Sequence, residues 1–362
     1  MVYKVIGLMS GSSLDGLDLV LAELQEQAGK WSYEIIFSTC YSYEKHWEQK
    51  LRDAPEMTAK DYCLLHTDYG RYIGETVNAF IEQHSLQHQV GLVSSHGHTT
   101  FHLPQQKMTH QLGEGAAIAA ATRLPVVTDL RSMDVAFGGQ GAPIVPLGEK
   151  LLFNGFHCFL NIGGIANISV NSGDNTIAFD VCAANRVLNM LANEKGLPYD
   201  NKGTMASRGS IDEELLTKLN SLEYYTLPYP KSLANDFGTE TVYPLIKTST
   251  KSIEDGLRTY TEHIAMQIKT SLQPFERNDM QKLFITGGGA FNDFLIERIR
   301  EKLAEINFEI FIPSESVVKY KEALIMALLG VLRWREQYTV LSSVTGAIRN
   351  SIGGALWLGT EA

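Results

Sequence analysis

Met9-Ser10-Gly11-Ser12-Ser13-Leu14-Asp15-Gly16 stands between two apolar runs, Lys4–Leu8 and Leu17–Leu24, at the start of the chain. The runs read as strands, and their link gathers glycines and hydroxyls where backbone N–H groups can face an anion without Cβ interference. The stretch is therefore a strand-turn-strand that holds phosphate, or an ordinary hairpin with turn-forming residues. Asp15 adds a carboxylate, which phosphate alone does not need but a magnesium-nucleotide or a substrate hydroxyl can use.

Outward from this turn, strands are predicted at Tyr33–Tyr41, Val90–Ser95 and Pro125–Leu130, with helices at Thr58–Gln83 and Gly115–Thr122. Gly138-Gly139-Gln140-Gly141-Ala142-Pro143 interrupts the pattern, which places a first domain at 1–140 and a second at 141–337, with 338–362 packing back on the first. The second half opens like the first: strands His157–Ile162 and Ile165–Val170 flank Gly163-Gly164, strand Thr176–Phe179 follows, and a helix runs from Cys182 to Glu194. Helix Ile253–Leu272, strand Leu283–Thr286, helix Phe291–Ala304, strand Ile310–Pro313 and helix Val318–Glu336 complete it. Two similar α/β halves point to an internal duplication with a ligand cleft between them.

The 362 residues suffice for two cores, and 44% hydrophobic with 20% charged residues is a soluble composition. A net charge of −10 argues against nucleic-acid or anionic-membrane partners. No long apolar run or leader pattern is seen, so a cytoplasmic protein is expected. Cys40, Cys63, Cys158 and Cys182 form no C-x-x-C pair and are expected as reduced thiols.

Neither the P-loop nor the dinucleotide fingerprint is present; Gly113-Glu114-Gly115 is followed by Ile118 where a third glycine is required. Thr286-Gly287-Gly288-Gly289-Ala290 follows a strand and precedes a helix, an order that lets backbone approach a nucleotide. Asp180 ends a predicted strand as a general base, a holder of metal-bound water, or a plain helix N-terminal acid. His96-Gly97-His98 lacks the further ligands zinc would want and reads as a polar wall for substrate. Arg131 grips an anion, or pairs with Asp129 or Asp134. Cys182 reads as a buried thiol rather than a nucleophile.

In this order the segments resemble the anhydro-N-acetylmuramic acid kinases, a branch of the acetate kinase, sugar kinase, Hsp70 and actin superfamily. The resemblance rests on the opening turn, Ser95-His96-Gly97-His98-Thr99, the Gly138–Pro143 run, Asn161-Ile162-Gly163-Gly164-Ile165-Ala166-Asn167-Ile168, Pro230-Lys231-Ser232 and Thr286–Ala290, and covers nearly the whole chain. It implies an α/β protein of two ribonuclease-H-like domains around an interdomain cleft. It also implies ATP, Mg2+ and hydrolytic opening of 1,6-anhydro-N-acetylmuramic acid with phosphorylation of O6, a transferase step of amino-sugar metabolism in peptidoglycan recycling; a homodimer is compatible with it. Asp180 would be the catalytic base and Glu322 its support. Gly11, Ser12, Ser13, Leu14, Asp15, Gly16, Asp18, Gly163, Gly164, Gly287, Gly288 and Gly289 would bind ATP, Asp15 reaching the metal through water. His96 and Arg131 would contact the sugar. The usual Thr-Gly-Pro-Gly-Asn after the aspartate is here Val181-Cys182-Ala183-Ala184-Asn185, so both glycines of the second phosphate loop are gone. Ser12 replaces threonine, His98 glutamine and Ala234 glycine. These departures leave two rivals: a kinase of another anhydro- or free amino sugar, and a nucleotide or muropeptide sensor without turnover.

Overall fold

The structure, a computed structural model, describes all residues except Ser12, Gly173, Asp174, Pro230, Asn235 and 360–362, with Ser172 and Asn175 described in backbone only. The chain divides into two compact units, Met1–Asn154 with Tyr320–Ala362, and Gly155–Lys319. Its strands are β1 (Val2–Ser10), β2 (Gly16–Gln27), β3 (Lys30–Ser42), β4 (Leu92–Leu103), β5 (Met108–Leu112), β6 (Val126–Thr128), β7 (Cys158–Ile162), β8 (Ile165–Ser172), β9 (Asn175–Ala183), β10 (Gln281–Thr286), β11 (Phe308–Phe311) and β12 (Ala355–Trp357).

In the first unit the sheet runs β12-β6-β4-β1-β2-β3, with β5 on β4. Strands β1, β2 and β3 form an antiparallel meander, whereas β4 and β6 join in parallel. Ile6 and Leu8 join the core under helix Ala59–Gln83, which presents Leu65, Tyr69, Ile73, Val77 and Phe80 at helical spacing. On the other face, helix Glu315–Trp334 lies so close to β1 that a Cβ on Gly7 would stand 2.0 Å from the Ala323 carbonyl oxygen. Burial on both faces is why β1 reads as a near-continuous apolar run.

In the second unit the order is β11-β10-β7-β8-β9, again an antiparallel meander of three followed by two parallel strands. Its core packs β7 and β8 against helix Ile253–Leu272 through Leu257, Tyr260, Ile264, Ile268 and Leu272. Setting β9-β8-β7-β10-β11 beside β3-β2-β1-β4-β6 shows the same ribonuclease-H-like order twice, so the repeated opening pattern in the sequence is a repeated topology.

The boundaries differ from the expectation. Residues 141–154 and 320–337, expected in the second domain, belong to the first unit. Helix Pro146–Leu152 packs Gly148 against Ile325 and sets Glu149 on Lys321, which composition along the chain does not reveal. Tyr320, where the chain re-enters the first unit, has non-helical φ −118° and ψ 17° inside helix Glu315–Trp334. Strand β9 also runs past Asp180 to Ala183, and the helix expected from Cys182 begins at Asn185. Small and β-branched Val181, Cys182 and Ala183 extend the pairing with Ala166 and Ile165 where glycine and proline would end it.

Candidate active site

In the first unit, the β1–β2 hairpin closes over Gly11–Asp15, with Ser12 outside the described residues. Leu14 takes φ +57° and its N–H reaches the Gly11 carbonyl at 3.4 Å, while the N–H groups of Gly11, Ser13 and Asp15 have no backbone acceptor among the described residues. Turn N–H groups without a backbone acceptor suit an anion. Ser13 Oγ donates to Asp15 Oδ1 at 2.7 Å and steadies that exposed carboxylate. Gly16 already belongs to β2.

Asp18 lies on β2, and burial pushes its carboxyl up to about 6, with Asp15 and Glu322 adding repulsion and a Cys40 hydrogen bond opposing it. Asp18 thus feels two other acids of this unit, although among the described residues no group of three His, Cys, Asp or Glu side chains converges tightly enough to cage a metal.

His96 and Arg131 form a fixed pair. Arg131 Nε donates to His96 Nε2 at 2.8 Å, and Arg131 Nη1 donates to the Gly141 carbonyl at 2.7 Å. Because His96 Nδ1 lies 2.9 Å from the Gly97 carbonyl, that nitrogen carries the proton and both ring nitrogens are engaged. Burial, then Arg131, lowers His96 to about 3, so the ring is neutral. Burial lowers Arg131 to about 10, with Glu322 opposing, so the guanidinium stays charged at neutral pH. Neither Asp129 nor Asp134 pairs with it: Asp129 accepts from Ser132, and Asp134 accepts from Gly141 N and Thr345 at 2.7 Å each. Asp134 therefore shapes the glycine-rich crossing that carries the Gly141 carbonyl.

In the second unit, Asp180 sits at a β-bulge: Asn167 pairs with Asp180 and Ala166 with Cys182, leaving Val181 as the extra residue. A bulge re-aims the neighbouring side chain. Asp180 Oδ2 accepts from Leu233 N at 2.8 Å and Ser232 Oγ at 3.2 Å, while no described group bonds Oδ1. Burial raises the Asp180 carboxyl, and the Leu233 and Ser232 bonds only partly offset this. The result is a held carboxylate with one basic oxygen open. Tyr224 OH donates to the Asp180 carbonyl at 2.7 Å, and Asp180 N donates to Lys231 O at 3.0 Å. Ser232, Leu233 and Tyr224 were not singled out as Asp180 partners from sequence; the signal available was the Pro230-Lys231-Ser232 run, whose Pro230 lies outside the described residues.

Residues 181–184 show no positive φ, so none of them calls for glycine on that account. Their continuation is tied down: Ala184 N donates to Gly164 O at 2.8 Å and Asn185 N to Gly163 O at 3.0 Å. These two N–H groups are consumed within the unit, and Gly164 N is left without an acceptor among the described residues.

The three glycines after β10 divide their roles. Gly287 has φ +82°, and a Cβ there would meet Asn161 Oδ1 at 2.7 Å; one on Gly289 would meet Ile162 Cγ2 at 2.2 Å. Both are packing positions, whereas Gly288 opens into a cavity of about 410 Å³ also lined by Asn185, Tyr199, Asp200, Phe291 and Asn292. A Cβ on Gly288 would be 3.5 Å from Asn185 Nδ2, so alanine fits and a branched side chain fills the cavity mouth. If Gly288 borders the nucleotide as the resemblance implies, Gly288→Val is expected to raise KM for ATP about 10-fold or more with the fold intact, as read by steady-state kinetics and circular dichroism.

The chain matches the family model for anhydro-N-acetylmuramic acid kinase over residues 3–359. A Bacillus cereus protein named anhydro-N-acetylmuramic acid kinase is 32% identical, covering 97% of each chain. The protein of that name from Rhodopseudomonas palustris is 36% identical over 85% of this chain and 86% of its own. Among solved structures, the activator of the 2-hydroxyisocaproyl-CoA dehydratase from Clostridium difficile with bound ADPNP aligns with a TM-score of 0.46 at 16% identity, covering 93% of this chain and 96% of that one. On the family match and on relatives aligned over nearly their full length, the chain belongs to the anhydro-N-acetylmuramic acid kinase family.

Proposed function

We propose that the protein is an ATP-dependent kinase that opens 1,6-anhydro-N-acetylmuramic acid with water and phosphorylates O6, releasing N-acetylmuramic acid 6-phosphate and ADP in cytoplasmic peptidoglycan recycling. The observation that carries this reading is Asp180, with one carboxylate oxygen fixed by Leu233 and Ser232 and the other open. Asp180 Oδ1 takes a proton from water as the water oxygen bonds to the anomeric carbon. The C1–O6 bond breaks, its electron pair stays on O6, and O6 attacks the γ-phosphorus as the bond to the ADP oxygen breaks. One base thus serves two coupled bond changes, and alignment supplies much of the remaining barrier lowering.

Arg131 faces the sugar's anionic group, and His96 acts as its positioning residue through the 2.8 Å bond. The N–H groups of Gly11, Ser13 and Asp15 receive phosphate oxygens, and in the second unit the cavity beside Gly288, bordered by Tyr199 and Phe291, takes the nucleoside. Magnesium keeps most of its waters and needs one or two carboxylates plus phosphate oxygens, so Asp15, with Asp18 beside it, fits as its anchor even without a protein cage. When bound it would offset the charge on the β- and γ-phosphates. Glu322, which acts electrostatically on Asp18 and Arg131, tunes this acidic group.

The test is ATP, magnesium and 1,6-anhydro-N-acetylmuramic acid in ¹⁸O-water, beside free N-acetylmuramic acid. The expected product carries label at the anomeric hydroxyl and phosphate at O6. Phosphorylation of the free sugar alone, or binding of both ligands without turnover, overturns the reading.

A further inference from the structure

His98 stands two residues from His96 and meets a different partner. Gly97, at φ +73°, and a register shift between Leu8 and Ser10 bring His98 opposite Ser10, the last residue before the phosphate-binding turn. Ser10 Oγ lies 3.0 Å from His98 Nδ1 and accepts a 2.7 Å hydrogen bond from Tyr43 OH, which is itself 2.6 Å from Tyr69 OH. A serine hydroxyl has one hydrogen. With one lone pair of Ser10 taken by Tyr43, the arrangement that satisfies both remaining groups has Ser10 donating that hydrogen to a bare His98 Nδ1 and the proton of the neutral ring on Nε2. Burial lowers His98 to about 4 and keeps it neutral across the physiological range.

His98 Nε2 has no protein partner among the described residues, yet it is absent from their sealed, unsatisfied polar atoms, so it opens toward solvent. By contrast, His96 spends both nitrogens on Gly97 and Arg131. Of the two histidines, only His98 has a group left for a ligand, and that group can only donate.

We propose that His98, held as the Nε2–H tautomer by the Tyr69–Tyr43–Ser10 hydroxyl chain, is a specificity-determining donor to an acceptor-only oxygen of the sugar, a carboxylate or carbonyl. The assignment rests on the kinase reading and deepens it: the Arg131 cation attracts the anionic sugar, and His98 adds direction. A group that must donate a hydrogen finds no acceptor at a site that offers it only N–H.

The test joins a spectroscopic readout to a kinetic one on the full-length protein. With ¹⁵N-labelled histidine, the signals missing from His98→Gln identify His98, and in the parent protein they must show Nε2 protonated and Nδ1 bare at neutral pH. His98→Ala is expected to raise KM for the anhydro-sugar about 3- to 10-fold, with KM for ATP unchanged, and His98→Gln, whose amide can donate, to recover most of it. Tyr43→Phe is expected to leave His98 a mixture of tautomers and to raise the same KM. A proton on Nδ1, an effect on ATP alone, or indifference of the sugar KM to His98→Ala overturns the proposal. If the parent protein does not turn over the sugar, the kinase reading fails, a result separate from these.

Discussion

Asp180→Asn is expected to lower kcat by about 10²- to 10⁴-fold, the range a positioned general base supplies, while ATP binding measured by calorimetry is unchanged. Asparagine can keep its oxygen on Leu233 N and Ser232 Oγ, which preserves the local geometry. Its NH2 then replaces the open oxygen and cannot take a proton from water. An Asp180→Asn enzyme with near-parent kcat would refute the base assignment.

The pH dependence has a definite sign. Because burial raises the folded-state carboxyl of Asp180, its acid limb in the kcat/KM profile is expected above the ordinary aspartate range, around 3.8. A raised folded pKa contributes stability that is fully present below the unfolded value and lost as pH rises through the folded one. The ionised carboxylate therefore costs stability at neutral pH, and the always-neutral asparagine variant is expected to melt no lower than the parent there. That difference should vanish as both forms become neutral at low pH.

The largest stability effect is expected from Lys321→Met. Lys321 Nζ and Glu149 Oε1 are 2.5 Å apart, with side chains 5% and 4% exposed. Removing one partner of such a pair costs about 3–5 kcal/mol, because the Lys321–Glu149 attraction is lost away from water. For a unit of this size that is roughly a 10 °C fall in melting temperature. Lys321→Met with Glu149→Leu should regain most of it, since matched apolar replacements of buried pairs are tolerated. A single variant that melts within about 2 °C of the parent would show that the pair is not a structural tie.

Much of the fold was legible because its strands and long helices carry strong local signals. Helix Ile253–Leu272 has its Ser252 cap accepting from Asp255 N and an apolar face at helical spacing, so both ends coincide with the expectation. The repeated hairpin-then-strand opening announced the duplicated topology. What was not legible depends on partners far apart in sequence. Glu149 and Lys321 give no local hint of pairing, so 141–154 and 320–337 were misassigned. The support of Asp180 comes from Tyr224, Ser232 and Leu233, and the single proton of Ser10 is apportioned by Tyr43, neither of which periodicity can display. Strand β9 outran its expected end because a missing glycine was read as a damaged loop rather than as longer pairing.

The discontinuity of the first unit imposes an order on biosynthesis. Residues 1–154 leave the ribosome with one side of β1 bare, because the surface that meets Gly7 belongs to Ala323 and Ala327, and β12 comes later still. Gly155–Lys319 is contiguous and can fold while the rest is being made, since domains generally fold as units during synthesis. The half that emerges first is thus completed last, and through that interval β1 keeps an apolar face uncovered.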